Sequence, residues 1–415
     1  MHVIVVGGGI GGLTLGLMLH ARGIGCEIYE AAPVMRELGV GINVLPHAIA
    51  ELAELGLLAR LDEVAVRTRE LIYMNRFGQE IWREPRGLDA GYEVPQLSIH
   101  RGRLHGVLYR AAIERLGREA VHTGHRLTGV AQDGRGAVAW FDDGRSAPGE
   151  AVIGCDGIHS AVRRQLHPDE PEPVWNGVMA WRGAALSGRL LDGRTMLIAG
   201  GVGHKLVVYP VAPPDGERQL INWAVGYRLG SGGTPPPRRE DWNRHGALVE
   251  VLPHARPFHV PGMDLAGLIT ASPAFYEYPM VDRDPLPRWS HGRVTLLGDA
   301  AHPMYPVGSN GASQAILDAR CLADRLAANA SVDEALAAYD AERRPATAEI
   351  VRANRTGGPE RVIDAVEAAA PDGFQRIEDV IGRREREAIV KGYARLAGFA
   401  PDQVNHGERP ALPRG

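Results

Sequence analysis

The first thirty residues, MHVIVVGGGIGGLTLGLMLHARGIGCEIYE, constrain the fold more than any later stretch. A β-branched run at 3–6 fits a parallel strand buried on both faces. It breaks into Gly7-Gly8-Gly9-Ile10-Gly11-Gly12, in which Gly7, Gly9 and Gly12 fill the pattern G-x-G-x-x-G. Apolar residues then follow at helical spacing through Leu13, Leu15, Leu17, Met18 and Leu19, and a second strand at 26–29 ends in Glu30. In a dinucleotide-binding unit each piece has a task. Gly7 allows the tight turn, Gly9 lets the backbone approach a pyrophosphate, and Gly12 lets helix pack on strand. The helix start offers free N–H groups and the positive end of its dipole to the phosphates. Glu30, 18 residues beyond Gly12, is placed to accept hydrogen bonds from an adenosine ribose. A glycine turn without a ligand would leave Glu30 unexplained. The fingerprint does not distinguish FAD from NAD.

Two later segments bear on that choice. In AVIGCDGIHSAVRRQL (151–166) a strand at 151–155 runs through Asp156-Gly157 into a helix, with Ser160 near its start. In VTLLGDAAHPMYPVGSNGAS (294–313) a strand at 294–297 ends in Gly298-Asp299, and a helix resumes from about Ala312 after two prolines and two more glycines. Either aspartate by itself reads as a turn residue or a helix cap. Two of them at the carboxyl ends of strands, in a chain that opens with a dinucleotide unit, fit a ligand lying across the switch point of one sheet.

Taken together, the three segments resemble the FAD-dependent aromatic hydroxylases, the group A flavoprotein monooxygenases typified by p-hydroxybenzoate and salicylate hydroxylases. The DG motif of that family matches Asp156-Gly157 and its GD motif matches Gly298-Asp299. The resemblance implies bound FAD, with Gly7, Gly9, Gly12, Glu30 and Asp156 among its contacts and Asp299 on the ribityl chain. It also implies that Pro306, Gly308, Asn310 and Gly311 pass the isoalloxazine ring, Pro306 and Gly308 on the side where chemistry occurs. The helix that follows can aim its dipole at the pyrimidine end and stabilise an anionic reduced flavin. SIHRGRLHGVL makes Arg101 an FAD contact, and MRELGVGIN brings Arg36 to the adenosine side and 39–43, including Gly41, to the flavin. YDAERRP (339–345) matches a recurrent structural segment of the family. Within it, YPMVDRDPLPRW, GVGIN, SIHRG and NGASQAILD are similar to phenazine-pathway hydroxylases of bacterial secondary metabolism. Such enzymes replace the carboxylate of a 5-methylphenazine-1-carboxylate by hydroxyl, but these stretches lie mostly in the flavin scaffold.

The expected fold is α/β: a Rossmann-like FAD-binding domain, an inserted antiparallel-sheet substrate domain and C-terminal helices. The FAD domain takes 1–70, 98–175 and 284–350, the substrate domain 71–97 and 176–283, and the helical segment 351–415. GGVG at 200–203 lacks the strand–helix context of a nucleotide site and reads as a hairpin turn. GSGGTPPPRRED (230–241) reads as a polar loop. A formal charge of −4 disfavours a general nucleic-acid binder. No apolar run approaches the ~20 residues of a spanning helix, and the N-terminus lacks a basic leader, so a soluble cytoplasmic protein is the default. Three separated cysteines suit buried reduced thiols, and 16 histidines include no metal-binding motif.

The resemblance thus implies a monooxygenase that uses FAD, NAD(P)H and O2 to hydroxylate an aromatic or N-heteroaromatic (phenazine- or salicylate-like) acid through a flavin 4a-hydroperoxide, with or without loss of the carboxylate. No motif chooses NADH over NADPH, and the oligomeric state is not readable. On the inserted strands, Arg182 and Tyr209 are candidates to grip the substrate, although Arg182 reads equally well as a structural ion-pair residue. Trp181 and Trp223 could stack on a polycyclic ring or fill the core. Other readings stay open: oxygen insertion into an antibiotic-like scaffold, a non-oxygenating flavin reductase or oxidase, and a non-enzymatic FAD-binding regulator.

Overall fold

The computed structural model describes residues 1–37, 39–231, 235–238 and 244–407. Of the polar loop expected at 230–241, positions 232–234 and 239–241 lie outside the described residues. The β-branched start forms the strand His2–Val6 at the centre of a five-stranded parallel sheet. Its spatial order is Val294–Leu296, Ala151–Gly154, His2–Val6, Gly25–Glu30 and Val121–Thr123. Val3, Ile4 and Val5 have no exposed surface, as a strand covered on both faces demands. The helix Ile10–His20 packs against the helices Arg101–Leu116 and Gly311–Ala328. The glycine loop and the carboxyl ends of Ala151–Gly154 and Val294–Leu296 therefore open on one edge of this sheet.

The second large element is a seven-stranded sheet, in the order Phe275–Asp282, Val174–Gly188, Arg218–Arg228, His204–Pro210, Thr195–Ala199, Glu70–Met74 and Glu80–Pro85. It departs from the expected antiparallel sheet at one pair. Thr195–Ala199 and Glu70–Met74 run parallel, because they come from separate excursions of the chain and no hairpin joins them. The turn at 200–203 connects two antiparallel strands, with Gly200 at φ +74°. One face of the sheet carries Trp181 and Trp223 into a core with the helices Leu248–Ala255 and Leu265–Thr270. Both tryptophans are core residues, and their indole N–H groups donate to Glu277 and Ser272. The opposite face, with Tyr73, Met196, Ile198 and Tyr209, packs on the helices Arg361–Ala369 and Arg383–Leu396. A small sheet of Gly41–Val44, Gln96–His100 and Ala65–Thr68 lies between the two large ones.

Cys26 and Cys321 are buried free thiols whose pKa is pushed up to about 12 by desolvation. No helix among the described residues is long and apolar enough to cross a membrane.

Candidate active site

The glycine loop is built by sterics. Gly7 sits at φ +109°, and a Cβ there would lie 2.3 Å from the Cys155 carbonyl oxygen. A Cβ on Gly12 would lie 2.0 Å from the Gly7 carbonyl oxygen. At Gly9 the situation reverses, because nothing comes within 4 Å of the added carbon. Gly9 also precedes the first helix, whose N-terminal N–H groups receive no side-chain cap. Open space above an uncapped helix start suits a diphosphate. Glu30 accepts from the Gly8 and Ala32 amides, each at 2.7 Å, and so ties the second strand to the loop. His105, which motif reading missed, donates from Nε2 to the Gly8 carbonyl at 2.7 Å. Its position in SIHRGRLHGVL, one helical turn beyond Arg101, was the available signal.

Asp299 ends the strand Val294–Leu296 in a concavity beside this loop. Its side chain retains accessible surface, yet protein surrounds it closely enough that desolvation raises its carboxyl pKa, against the opposing charges of His302 and Arg101. Arg101 is exposed, and its guanidinium has no partner among the described residues. A carboxylate, an open cation and a phosphate-sized gap thus face one cleft. Gly311 opens the helix Gly311–Ala328 there, and a Cβ added to it would reach only Met304 and Asp299, at 3.9 and 4.0 Å.

Other expected contacts stand differently. Both Asp156 oxygens are committed locally, one to Ser160 Oγ at 2.5 Å and the other to the Ala161 amide at 2.7 Å. Ser160 is the N-cap of the helix Ala161–Leu166, and the aspartate of the DG pair supports it by accepting from the Ala161 and Val162 amides. Asn310 has 0% exposed surface, and its amide donates to Tyr393 Oη at 2.9 Å. Its side chain supports the loop from within the protein. Arg36 is exposed and without a partner among the described residues.

The loop 306–311 is held by a buried polar chain. Pro306 is exposed, Gly308 takes φ +65° with Tyr393 packed against it, and Ser309 takes φ +59°. Asp318 accepts from His302, from the Gly298 amide and, at 2.8 Å, from Arg343 Nε. Arg343 also donates to Gln314 Oε1 at 2.6 Å. Tyr393 donates to Asn354 Oδ1 at 2.6 Å. Tyr339 Oη donates to the Leu296 carbonyl, and Asp340 accepts from the Trp289 and Ser290 amides. The segment 339–345 therefore fixes the strand and loop that carry Asp299.

Gly41 is gripped from both sides by the large sheet. Its amide donates to Asn222 Oδ1 and its carbonyl accepts from Arg182 Nη2, each at 2.7 Å. A Cβ there would lie 2.6 Å from Asn222 Cγ. Arg182 also donates to Tyr278 Oη at 2.9 Å and interacts with Tyr209. The two candidates for gripping substrate thus form a clamp between domains, because a buried guanidinium takes the nearest oxygen acceptors.

A separate cavity of about 360 Å³ lies between the inner face of the seven-stranded sheet, the Gly308–Ser309 backbone and the helix Arg383–Leu396. Tyr73, Trp82, Tyr92, Met196 and Ile198 give it aromatic and apolar walls. Its size falls within the ~300–1,000 Å³ typical of small-molecule sites. Neither Arg182 nor Tyr209 lines it.

A family model described as FAD binding domain matches residues 1–187 and 279–354. A phenazine 1,6-dicarboxylic acid hydroxylase, PhzS, of Lysobacter antibioticus is 45% identical over 369 residues, covering 85% of this chain and 89% of that protein. Salicylate hydroxylase of Pseudomonas putida is 30% identical, covering 85% of this chain and 83% of that one. The solved structure of Klebsiella pneumoniae HpxO complexed with FAD and uric acid has the same fold, with a TM-score of 0.75 at 24% identity over 97% of this chain and 96% of that one. The open space at Gly9, the solvent-reached Asp299 carboxylate and the unpartnered Arg101 fit the phosphates and sugar chain of the dinucleotide. The chain belongs to the FAD-dependent aromatic hydroxylases, the group A flavoprotein monooxygenases.

Proposed function

We propose that this hydroxylase acts on a fused N-heteroaromatic carboxylic acid of the phenazine carboxylate class and replaces the carboxylate by hydroxyl. The observation that carries this reading is the 45% identity, over most of both chains, to a hydroxylase of a phenazine dicarboxylic acid. The aromatic-walled cavity beside Gly308 and Ser309 supports it, because flat rings stack on such walls. The balanced reaction converts one aromatic acid, O2, NAD(P)H and a proton into phenol, CO2, NAD(P)+ and water.

When bound, FAD would supply hydride acceptance from NAD(P)H and activation of O2, chemistry no side chain supplies. The chain's own residues bind, orient and exclude water. On this reading Gly9 and the first helix hold the diphosphate, Glu30 the adenosine ribose, and Asp299 the sugar chain. The start of the helix Gly311–Ala328 would offer its positive dipole end to negative charge on the ring system. The sheet and the helix Arg383–Leu396 close the cavity against bulk water, which suppresses wasteful peroxide release.

The test is oxidation of NADH and NADPH by the FAD-loaded enzyme against phenazine, quinoline, salicylate and hydroxybenzoate acids, with products weighed after reaction under ¹⁸O2. The reading requires a labelled phenol lacking the carboxylate, formed fastest from a phenazine acid. A labelled product that keeps its carboxylate would overturn the replacement. Preference for a single-ring acid would overturn the substrate class.

A further inference from the structure

We propose that Arg86, with the Gln96 carboxamide, forms the site that takes the substrate's carboxylate, and that Glu84 sets its strength by competing for the same guanidinium. This rests on the reading that the substrate is an aromatic acid. All three residues line the cavity beside Gly308 and Ser309.

Arg86 directly follows the strand Glu80–Pro85, and its side chain is 13% exposed. Its Nη2 donates to Glu84 and, at 3.4 Å, to Tyr73 Oη. The rest of the fork is unused. Nε is sealed from solvent without an acceptor, and Nη1 has none among the described residues. An arginine present only to pair with Glu84 would be expected to offer that carboxylate two parallel N–H groups.

Gln96 begins the strand Gln96–His100 and is 2% exposed. Its Oε1 is buried without a partner, and its carboxamide makes no hydrogen bond among the described residues. Buried amides are nearly always satisfied, so this one points to a partner that arrives with a ligand. Spare guanidinium N–H groups and a spare amide on the walls of one cavity suit a planar carboxylate, which accepts from both.

The neighbouring charges leave the role to Arg86. Arg83 is held by Glu70 and Glu80, Lys391 by Glu387, and the Glu360 carboxylate by Lys205. Arg383 lines the cavity without an ion-pair partner among the described residues, but it is exposed and adds only a screened positive field. Glu84 is the anion that an incoming carboxylate meets first. Its removal frees the fork and strengthens acid binding, an effect opposite in sign to loss of a structural ion pair.

The experiment titrates the FAD-loaded enzyme with phenazine-1-carboxylate and with unsubstituted phenazine, reading Kd from the perturbed flavin absorbance without turnover. Arg86→Met should weaken the acid about 30–100-fold, the worth of a charged hydrogen-bonded contact, and leave phenazine within about threefold. Arg86→Lys should recover part of the loss. Gln96→Leu should weaken the acid about 10–30-fold, the lower end of what one hydrogen bond to a charged group is worth. Glu84→Gln should tighten it, with phenazine unchanged. Equal effects on acid and phenazine, or weaker acid binding by Glu84→Gln, would overturn the assignment. Should Arg86→Met not retain FAD, Gln96→Leu and Glu84→Gln decide by the same criteria. A wild-type enzyme that binds phenazine but no aromatic acid would refute the substrate reading itself, and this site with it. Normal acid binding that ignores all these substitutions would refute only the site.

Discussion

The glycine loop makes separable predictions for two residues that a motif treats alike. At Gly12 an alanine Cβ would stand 2.0 Å from the Gly7 carbonyl oxygen. Contact at ordinary separation requires helix and turn to part by more than 1 Å. The turn cannot yield easily, because the Gly7 amide donates to the Tyr29 carbonyl at 2.7 Å and Cys155 leaves no room for even a Cβ at Gly7. Overpacking of this kind costs about 1–3 kcal/mol, borne by the protein whether or not FAD is bound. At Gly9 an alanine meets nothing within 4 Å, and the backbone, at φ −75° and ψ −173°, accepts any residue. Losing glycine at this helix start costs at most about 1 kcal/mol. The methyl group instead occupies space assigned to the diphosphate, and a 30-fold loss of FAD affinity corresponds to about 2 kcal/mol. Urea unfolding of the FAD-stripped proteins and titration with FAD measure both quantities. Gly12→Ala should lower the unfolding midpoint clearly, whereas Gly9→Ala should leave it near wild type yet bind FAD at least about 30-fold more weakly. Wild-type FAD affinity in Gly9→Ala would refute the placement of the diphosphate. A stability loss matching that of Gly12→Ala would refute the steric argument.

Three further substitutions test the cleft and its supports. Desolvation by the surrounding protein raises the pKa of the partly exposed Asp299, so between its unfolded and folded values the native state holds the extra proton and stability falls as pH rises. Asp299→Asn should therefore stabilise the FAD-free protein at neutral pH, flatten its stability–pH curve over that window and weaken FAD binding; unchanged FAD affinity would count against the sugar-chain role. At Asp318 burial is outweighed by the charges of His302 and Arg343, which hold its pKa below the ordinary value. Its contribution is present above the ordinary carboxylate range and is lost as pH falls through the depressed value. Arg343→Met should cost about 3–5 kcal/mol by leaving a buried charge half paired, and acid unfolding followed by circular dichroism should begin at a higher pH. Arg182→Met should destabilise the protein by about 2–4 kcal/mol through its lost charged hydrogen bonds, leaving the ratio of phenazine-1-carboxylate to phenazine affinity unchanged. A collapse of that ratio would make Arg182 the substrate's anchor after all.

What could be read from the sequence was local. The strand–glycine–helix start sits within thirty residues, and its period and its Gly–Cβ exclusions follow from short-range sterics. The supports join residues far apart in the chain. His105 reaches Gly8 across 97 positions, and Asn222 reaches Gly41 across 181. No spacing rule links them, and only the docking of one sheet on the other brings them together. Asp156 and Asp299 show a different limit. Both follow a strand and adjoin a glycine, yet one carboxylate is consumed by the start of the helix that follows while the other is left open. The difference lies in which amides fall within reach. The residue Arg182 reads as substrate grip or structural pair from sequence, and in the structure its guanidinium bonds the Gly41 carbonyl and does not line the cavity.

Three departures from ordinary packing lie along the cleft and the cavity. Asp299 is a crowded carboxylate without a cation bonded to it, Gln96 a buried amide without a partner among the described residues, and Ser309 one of two non-glycine residues at positive φ among the described residues. Each costs stability in the protein alone. Much of the rest follows ordinary rules: the central strand is covered on both faces, Trp181 and Trp223 lie in the core, and Cys26 and Cys321 are buried. Such a distribution is intelligible if cofactor and substrate supply the missing partners, so that binding completes the structure. It then follows that ligand affinity and fold stability are linked quantities here. Saturating FAD raises the unfolding free energy by RT ln(1 + [FAD]/Kd), about 2.7 kcal/mol at a hundredfold excess over Kd. A substitution that repairs one of these sites for the isolated protein must give back part of that gain when the ligand binds.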